Sequence, residues 1–142
     1  MINFISGIDS TSSALNAERI RMDVVSQNIA NADTTRGPDG KPYQRQQVVF
    51  ETMLNQQQGV GFTETPQTVR VAQISTDARP PRMIYDPGHP DADANGMVAV
   101  PDINIHEEMA DLIASSRTFE ANLAVVKNAR QMALQSLSIG KH

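Results

Sequence analysis

Residues 104–139 read NIHEEMADLIASSRTFEANLAVVKNARQMALQSLSI. This stretch contains neither proline nor glycine, and its apolar residues recur in steps of three and four. That spacing places them on one stripe of an α-helix and, repeated every seven residues, is the spacing of a coiled coil. The stripe consists of Met109, Leu112, Phe119, Leu123, Val126, Ala133 and Leu137, with Ser116 and Arg130 at its two interrupted positions.

Both ends of this stretch carry helix-terminus signals. Asn104 followed by Glu107 resembles a capping box, and Gly140 stands where a glycine that ends a helix belongs. About 36 residues make a helix roughly 54 Å long, whereas a compact domain of about 100 residues has a radius of gyration of only about 13 Å. The chain cannot cover such a helix on every side. The stripe therefore predicts assembly with partners.

Residues 5–32 carry a second helical pattern with the same period. Ile8, Leu15, Met22 and Ile29 are spaced by seven residues, and Val25 and Ala32 follow three places after the last two. The shared period makes the C-terminal helix the natural partner of this one. Asn28 and Asn31 lie one turn apart, and they either lead into a helix C-terminus or form amide hydrogen bonds that fix the register between packed helices.

Between the helices the pattern changes to that of a loop-rich β insert, over residues 36–103. Glycine and proline at 37–42 end the first helix. Strand patterns occur at 68–75, Arg82–Tyr85 and Met97–Val100, while 43–53 fits either a strand or a short helix. We therefore expect one domain of mainly α class from residues 1–35 and 104–142, with the insert between them.

Composition excludes several classes of protein. The net charge is −4 and the basic residues are scattered, so no nucleic-acid surface is expected. There is no cysteine, no secretory signal pattern and no apolar run long enough to span a membrane, so by default the compartment would be the cytoplasm unless another export route operates.

Candidate chemical sites are few, and we predict no cofactor, no metal and no catalytic residue. Residues 91–102 copy part of an EF-hand calcium loop, but Asp102 replaces the usual glutamate and prolines flank the loop. A surface loop is the favoured interpretation. His89 and His106 lack the spacing of a metal pair, and no nucleophile elbow or phosphate loop occurs, which argues against an enzyme.

One run is more distinctive. Residues 14–31, ALNAERIRMDVVSQNIAN, resemble the N-terminal signature of bacterial flagellar rod and hook proteins. YQRQQVVFE (43–51), YDPGHPDAD (85–93), EEMADLI (107–113) and RTFEAN (117–122) narrow the resemblance to the basal-body rod family, and to its proximal part. Gln27 and Phe119 stand where that family usually has asparagine and tyrosine.

This resemblance implies a structural subunit whose two terminal helices pair as an antiparallel coiled coil around a central channel. It also implies export through the flagellar type III apparatus, a location in the basal body across the periplasm, and torque transmission. The implied partners are further copies, other proximal-rod subunits, the rod-to-ring adaptor, the distal rod and the export apparatus. Neither nucleic acid nor direct membrane insertion is expected. The predicted assembly interface consists of Ile8, Leu15, Met22, Val25, Asn28, Ile29, Asn31, Met109, Leu112, Phe119, Leu123, Val126 and Leu137.

Two other functions stay open at this point. A soluble coiled-coil adaptor or export chaperone would carry the same helices without polymerising. A calcium-binding module would rest on residues 91–102 alone.

Overall fold

Two long helices dominate the computed structural model, which describes residues 2–54 and 67–139. α1 spans Ile2–Ala30 and α2 spans Ile105–Ile139. Between them lie β1 (Gln46–Leu54), β2 (Gln67–Thr76), β3 (Arg82–Tyr85) and β4 (Met97–Val100). The prediction of two helices flanking a small β insert is confirmed.

The four strands form two separate antiparallel ribbons rather than one sheet. β1 pairs with β2 from Gln46↔Thr76 to Leu54↔Gln67, with an irregular register between Val49 and Phe50. β3 pairs with β4 from Arg82↔Val100 to Tyr85↔Met97. The segment that fitted either a strand or a short helix is thus a strand. The two-residue periodicity located the strands, but the pairing depends on contacts that the sequence does not display.

α1 is the central layer of the molecule. It packs against α2 on one side and against the β1–β2 ribbon on another. The Val69 N–H also donates to Ser13 Oγ at 3.3 Å, which ties β2 to α1. Three of the buried apolar residues lie on the second half of α1, and the others lie just after α1, in β4 and just before α2: Ala17, Val24, Val25, Ala32, Val98 and Ile103.

The start of α2 follows its predicted cap. The His106 N–H donates to Asn104 Oδ1 at 3.1 Å, and Asn104 Nδ2 donates to Glu107 Oε1 at 3.0 Å. The first bond satisfies the backbone N–H of His106, which has no partner within the helix, and the second joins the side chains of Asn104 and Glu107. The predicted cap at Gly140 lies outside the described residues.

The loop between β3 and β4 contains a glycine, Gly96, that its backbone geometry requires. Gly96 has φ +74°, and a Cβ there would lie 3.0 Å from Tyr85 Cε2 and 3.1 Å from Pro87 Cβ. The glycine of the EF-hand-like segment is therefore required by the tight turn that leads into β4.

Candidate assembly surface

Burial along α2 follows a seven-residue repeat. The side chains turned toward α1 recur in steps of three and four, and all of them are buried or half-buried. This inner stripe consists of Glu108, Leu112, Ser115, Phe119, Asn122, Val126, Ala129 and Ala133.

The inner stripe divides the predicted interface residues of α2. Leu112, Phe119 and Val126 belong to it and are half-buried. The other three are not covered within the chain: Met109 is 50% exposed, Leu123 36% and Leu137 67%. The buried residues of α2 are instead Glu108 and Ser115. Spacing alone grouped all six residues, and the structure separates them into a covered and an exposed set.

The predicted residues of α1 lie mostly in contact with other parts of the chain. Val25 is buried, and the remaining apolar ones are half-buried: Ile8, Leu15, Met22 and Ile29. Asn31 is half-buried and bonds locally, because its Nδ2 donates to Gln27 O at 2.9 Å and its Oδ1 accepts from Thr34 Oγ1 at 3.2 Å. Asn31 thus finishes the helix end.

Asn28 does something different, because its side chain joins three parts of the chain. It is 1% exposed, and its Nδ2 donates to Glu108 Oε2 and to Gln46 O, both at 2.9 Å. Its Oδ1 accepts from Tyr43 Oη at 3.1 Å and from the Gln46 N–H at 2.9 Å. Both donor and both acceptor positions of the amide are therefore used. Of the two sequence interpretations of Asn28, the hydrogen bond between helices is the one observed.

Glu108 extends this network outward. Its carboxylate is 1% exposed and accepts from Arg45 Nε at 2.6 Å. Arg45 also lies 3.9 Å from Asp77, and Asp77 accepts from Arg79 Nε at 2.8 Å. Arg79 continues to Asp102 at 3.2 Å. A buried carboxylate is tolerated only when it is paired and hydrogen-bonded, and Arg45 with Asn28 supplies both.

Tyr43 and Asp77, which belong to the hydrogen-bond network around Asn28 and Glu108, have shifted pKa values. Burial, reinforced by the nearby charge of Glu108, raises the pKa of Tyr43. The hydrogen bonds from Arg79, first from its side chain and then from its backbone, lower the pKa of Asp77. Both shifts favour the charge state in which the observed hydrogen bonds form.

Sequence reasoning missed Glu108, Arg45 and Asp77. Their only visible signal was a charged residue, Glu108, on the covered side of a helix next to the apolar stripe. Their hydrogen-bonding partners lie about 30 to 80 residues away in the sequence, so no local sequence pattern predicts them.

The EF-hand-like carboxylates have separate partners. Asp91 accepts from Thr35 Oγ1 at 2.8 Å, Asp93 accepts from the backbone of its own turn, and Asp102 pairs with Arg79. His89 Nδ1 accepts from the Asp91 N–H, whereas the side chain of His106 is exposed on α2. Across residues 2–54 and 67–139, no group of three potential ligands could hold a metal ion, and no helix is long and apolar enough to cross a membrane.

α2 also carries exposed apolar residues beside the inner stripe. On one side lies the first flank: Met109, Ile113, Leu123, Leu134 and Leu137. On the other side lies the second flank, repeating every seven residues: Asp111, Thr118, Val125, Met132 and Ile139. The outer strip, opposite α1, is exposed and free of large apolar residues: Ala110, Arg117, Ala124, Gln131 and Ser138. α1 therefore covers only one of the three sides of α2 that carry apolar residues.

The chain is similar to flagellar rod proteins over nearly its whole length. A family model described as flagella basal body rod protein matches residues 8–38, and one described as flagellar basal body rod FlgEFG protein C-terminal matches residues 94–139. The flagellar basal-body rod protein FlgC of Borreliella burgdorferi is 39% identical, with 97% of this chain and 98% of that protein covered. FlgC of Yersinia enterocolitica is 38% identical (99% and 100% covered), and FlgC of Bacillus subtilis is 38% identical (94% and 96% covered).

Identity at this level over almost the full length of several relatives shows common descent and a common fold. It agrees with the two helices, the small insert and the exposed flanks described above. This chain belongs to the FlgC family of flagellar basal-body rod proteins, structural components of the flagellar basal body.

Proposed function

We propose that this chain is a subunit of the proximal rod and polymerises through its terminal helices. In this role it forms part of the drive shaft that carries torque from the motor to the hook across the periplasm. Family membership supports a structural rod subunit. The observation that carries the mode of assembly is the exposed apolar surface on both sides of α2.

The extent of exposed surface supports assembly. The chain exposes 10743 Å², well above the roughly 7,200 Å² expected of a compact monomer of its mass. Completing the burial of a half-exposed Leu, Ile or Met contributes roughly 1 kcal/mol. The eight exposed large apolar residues on the two flanks of α2 can therefore stabilise an assembled state by several kcal/mol.

Within each subunit, the two helices pair as an antiparallel coiled coil in this proposal. Asn28 of α1 bonds Glu108, and Arg21, two turns earlier in α1, lies 3.6 Å from Asp111, which is later in α2. The contact later in α2 is made with a residue earlier in α1, as expected for antiparallel helices. The three-and-four repeat of the inner stripe supports the coiled-coil form.

The interface residues then divide into two sets with different roles. Ile8, Leu15, Met22, Val25, Asn28, Ile29 and Asn31, together with Leu112, Phe119 and Val126, shape and hold the helix pair of residues 1–35 and 104–142. Met109, Leu123 and Leu137 contact neighbouring subunits. Residues 36–103 form the insert, whose β1–β2 ribbon braces α1.

The partners follow from the same reasoning. The flanks of α2 receive further copies or other rod proteins, including the rod-to-ring adaptor and the distal rod. The chain reaches the rod through the flagellar export apparatus. The absence of cysteine, which leaves no thiol to be trapped in an oxidising compartment, supports that route.

Leu123→Asp tests the proposal. The substitution puts a charge on the exposed first flank while leaving the inner stripe intact, so the monomer should fold but not assemble. Cells that carry it on the chromosome should be non-motile, and the variant should be missing from basal bodies extracted with detergent. Ala124→Asp, next to it on the outer strip, is the matched control and should assemble. Normal motility with Leu123→Asp, or a wild-type chain found only in the cytosol, would refute the proposal.

A further inference from the structure

The β3–β4 ribbon has one open edge, which lies along β3. All four residues of β3 are exposed, with Met83 at 50%, Ile84 at 41% and Tyr85 at 69%. Among the helices and strands that the structure describes, β3 pairs only with β4 and packs against no other element. An exposed edge strand with apolar side chains is a surface on which another strand can pair.

The backbone groups that point outward along this edge belong to Met83 and Tyr85. The Asp86 N–H donates to Gly96 O at 2.9 Å, which makes Asp86 and Gly96 a hydrogen-bonded pair of the ribbon. Hydrogen-bonded and non-hydrogen-bonded pairs alternate along antiparallel strands. The backbone of Ile84 therefore points toward β4, and the backbones of Met83 and Tyr85 point away from it. Within the described residues, nothing outside the ribbon bonds these outward N–H and C=O groups.

The edge of β4, by contrast, is closed at its start. The Met97 N–H donates to Asp93 Oδ1 at 2.9 Å, and Met97 O accepts from the Asp93 N–H at 2.9 Å. The turn before β4 thus occupies the backbone groups that a further strand would need there. β3 is therefore the edge at which the ribbon can be extended.

The charges at the two ends of β3 suit an antiparallel copy of the same strand. Arg82 and Asp86 are both exposed, and neither takes part in an ion pair among the described residues. When two copies run antiparallel with Ile84 opposite itself, Arg82 of each copy faces Asp86 of the other. Opposite charges directly across a pair of strands stabilise it, and like charges destabilise it.

We propose that the free edge of β3 pairs with the β3 of a second copy, antiparallel and with Ile84 at the two-fold axis. In this register Met83 faces Tyr85 of the other copy, and each such pair exchanges both of its N–H···O bonds. The same pair places a thioether against an aromatic ring. A register shifted by two residues keeps the hydrogen-bond pattern but moves Ile84 opposite Arg82 or Asp86, so the charge pairs are lost.

The proposed contact is distinct from the flanks of α2 and does not depend on the proposed function. A contact of one patch with itself is isologous and closes at two copies, so it cannot extend a polymer. We therefore assign it to the chain outside the rod. Two short strands bury less than the roughly 1,200 Å² of a stable interface, so the dimer should be in exchange with the monomer.

Disulfide trapping tests the register, because the chain contains no cysteine. In the dimer Ile84 forms a non-hydrogen-bonded pair with itself, whose Cα atoms lie about 4.5 Å apart, within the range of about 4.4–6.8 Å that a disulfide spans. The purified Ile84→Cys chain is incubated with oxidised glutathione, which is reduced as the disulfide forms. Met83→Cys is the matched control, since the two copies of residue 83 lie diagonally, about 7–8 Å apart.

We expect Ile84→Cys to form linked dimers at least about tenfold faster than Met83→Cys, because Cα atoms more than about 7 Å apart cannot be bridged directly. Equal rates for the two variants would mean that random collision forms the links and would overturn the register. Absence of linked dimers from Ile84→Cys would overturn the second copy as the occupant of this edge.

Charge reversal in the Ile84→Cys chain gives a second measurement. Arg82→Glu and Asp86→Arg each place like charges opposite one another, so either should slow linking at least about threefold. An equal mixture of the two variants restores opposite charges between unlike chains and should recover the rate. Positions 82 and 86 lie about 13 Å apart along one strand, so this recovery cannot arise within a single chain. An unchanged rate with both single variants would contradict the proposed pairing.

Discussion

At the scale of single residues, the helix pair depends on polar side chains as much as on apolar ones. Asn28 and Glu108 are each 1% exposed and bond each other. One of the four hydrogen bonds of the Asn28 amide reaches Glu108 of α2, and it forms only at the register of α1 against α2 that brings these two side chains together. Apolar contacts tolerate a slip of one heptad, whereas a fully bonded buried amide does not.

Asn28→Asp should destabilise the chain severely. The carboxylate replaces two donors and faces the buried carboxylate of Glu108, so the expected loss is about 3–5 kcal/mol at neutral pH. Burial and that neighbour would raise the folded pKa of the new aspartate, so stability should partly return as pH falls. Urea unfolding of the purified variant measures this, with Asn31→Asp as the control that should lose less than about 1 kcal/mol. Equal losses at both positions would contradict the role given to Asn28.

Ser115→Ala should stabilise the folded chain, in contrast to Asn28→Asp. Ser115 is buried against α1, and within the described residues its Oγ has no hydrogen-bond partner. Removing an unsatisfied buried hydroxyl relieves a desolvation cost of about 1 kcal/mol or more. Ser136→Ala is the control, because the Ser136 hydroxyl is exposed and bonds Met132 O at 3.0 Å. Thermal unfolding should show Ser115→Ala to be the more stabilising of the two, and a destabilised Ser115→Ala would contradict this.

Asp77→Asn should change how stability depends on pH. The hydrogen bonds from Arg79 lower the folded pKa of Asp77 below its usual value near 3.8, so the folded chain holds the proton less tightly than the unfolded one. The stability from Asp77 is therefore present above about pH 4 and is lost as pH falls through the folded pKa. The variant should be less stable than the wild-type chain at pH 6, and the gap should close on acidification. A gap independent of pH would contradict the role of the Asp77 charge.

At the scale of elements, the sequence located the helices and strands, but it did not predict which side of α2 faces α1. The apolar spacing grouped Met109 and Leu123 with Leu112 and Phe119, because all four are apolar and the steps fit. The structure turns Glu108 and Ser115 inward instead. A small residue permits close approach of the helices, and a glutamate is accommodated once Asn28 and Arg45 reach it. Neither effect can be read from α2 alone, because both depend on groups that the fold brings from elsewhere.

Because some apolar residues of α2 are covered by α1 and others are exposed, we expect the stability of the monomer and its assembly to respond to different substitutions on this helix. Phe119→Ala removes a half-buried ring from the inner stripe and should cost the monomer about 2 kcal/mol, less than for a fully buried ring. Leu123→Asp should change the stability of the monomer by less than about 1 kcal/mol, since the site is exposed. Urea unfolding of the two purified variants tests the difference. A large loss of monomer stability with Leu123→Asp would place that residue in the core of the monomer.

At the scale of the whole molecule, the burial of side chains is uneven along the two helices. The second half of α1 lies between α2 and the β1–β2 ribbon, and its residues Ala17, Val24, Val25 and Asn28 are buried. Beyond Ser115, no residue of α2 up to Ile139 is buried. Local unfolding is easiest where few apolar contacts oppose it, so the distal part of α2 should open more often than the junction with α1.

Amide hydrogen exchange measures this gradient directly. In the free monomer we expect the slowest exchange in residues 17–30 and 105–115 and faster exchange in 120–139. In isolated basal bodies the amides of 120–139 should slow by at least about tenfold, because completing the cover of an exposed flank by even about 1.4 kcal/mol corresponds to that factor. The amides of 17–30 should change less, since they are already covered. Equal protection of both segments in the monomer, or no slowing of 120–139 on assembly, would show that the distal half of α2 does not acquire its cover from neighbouring subunits.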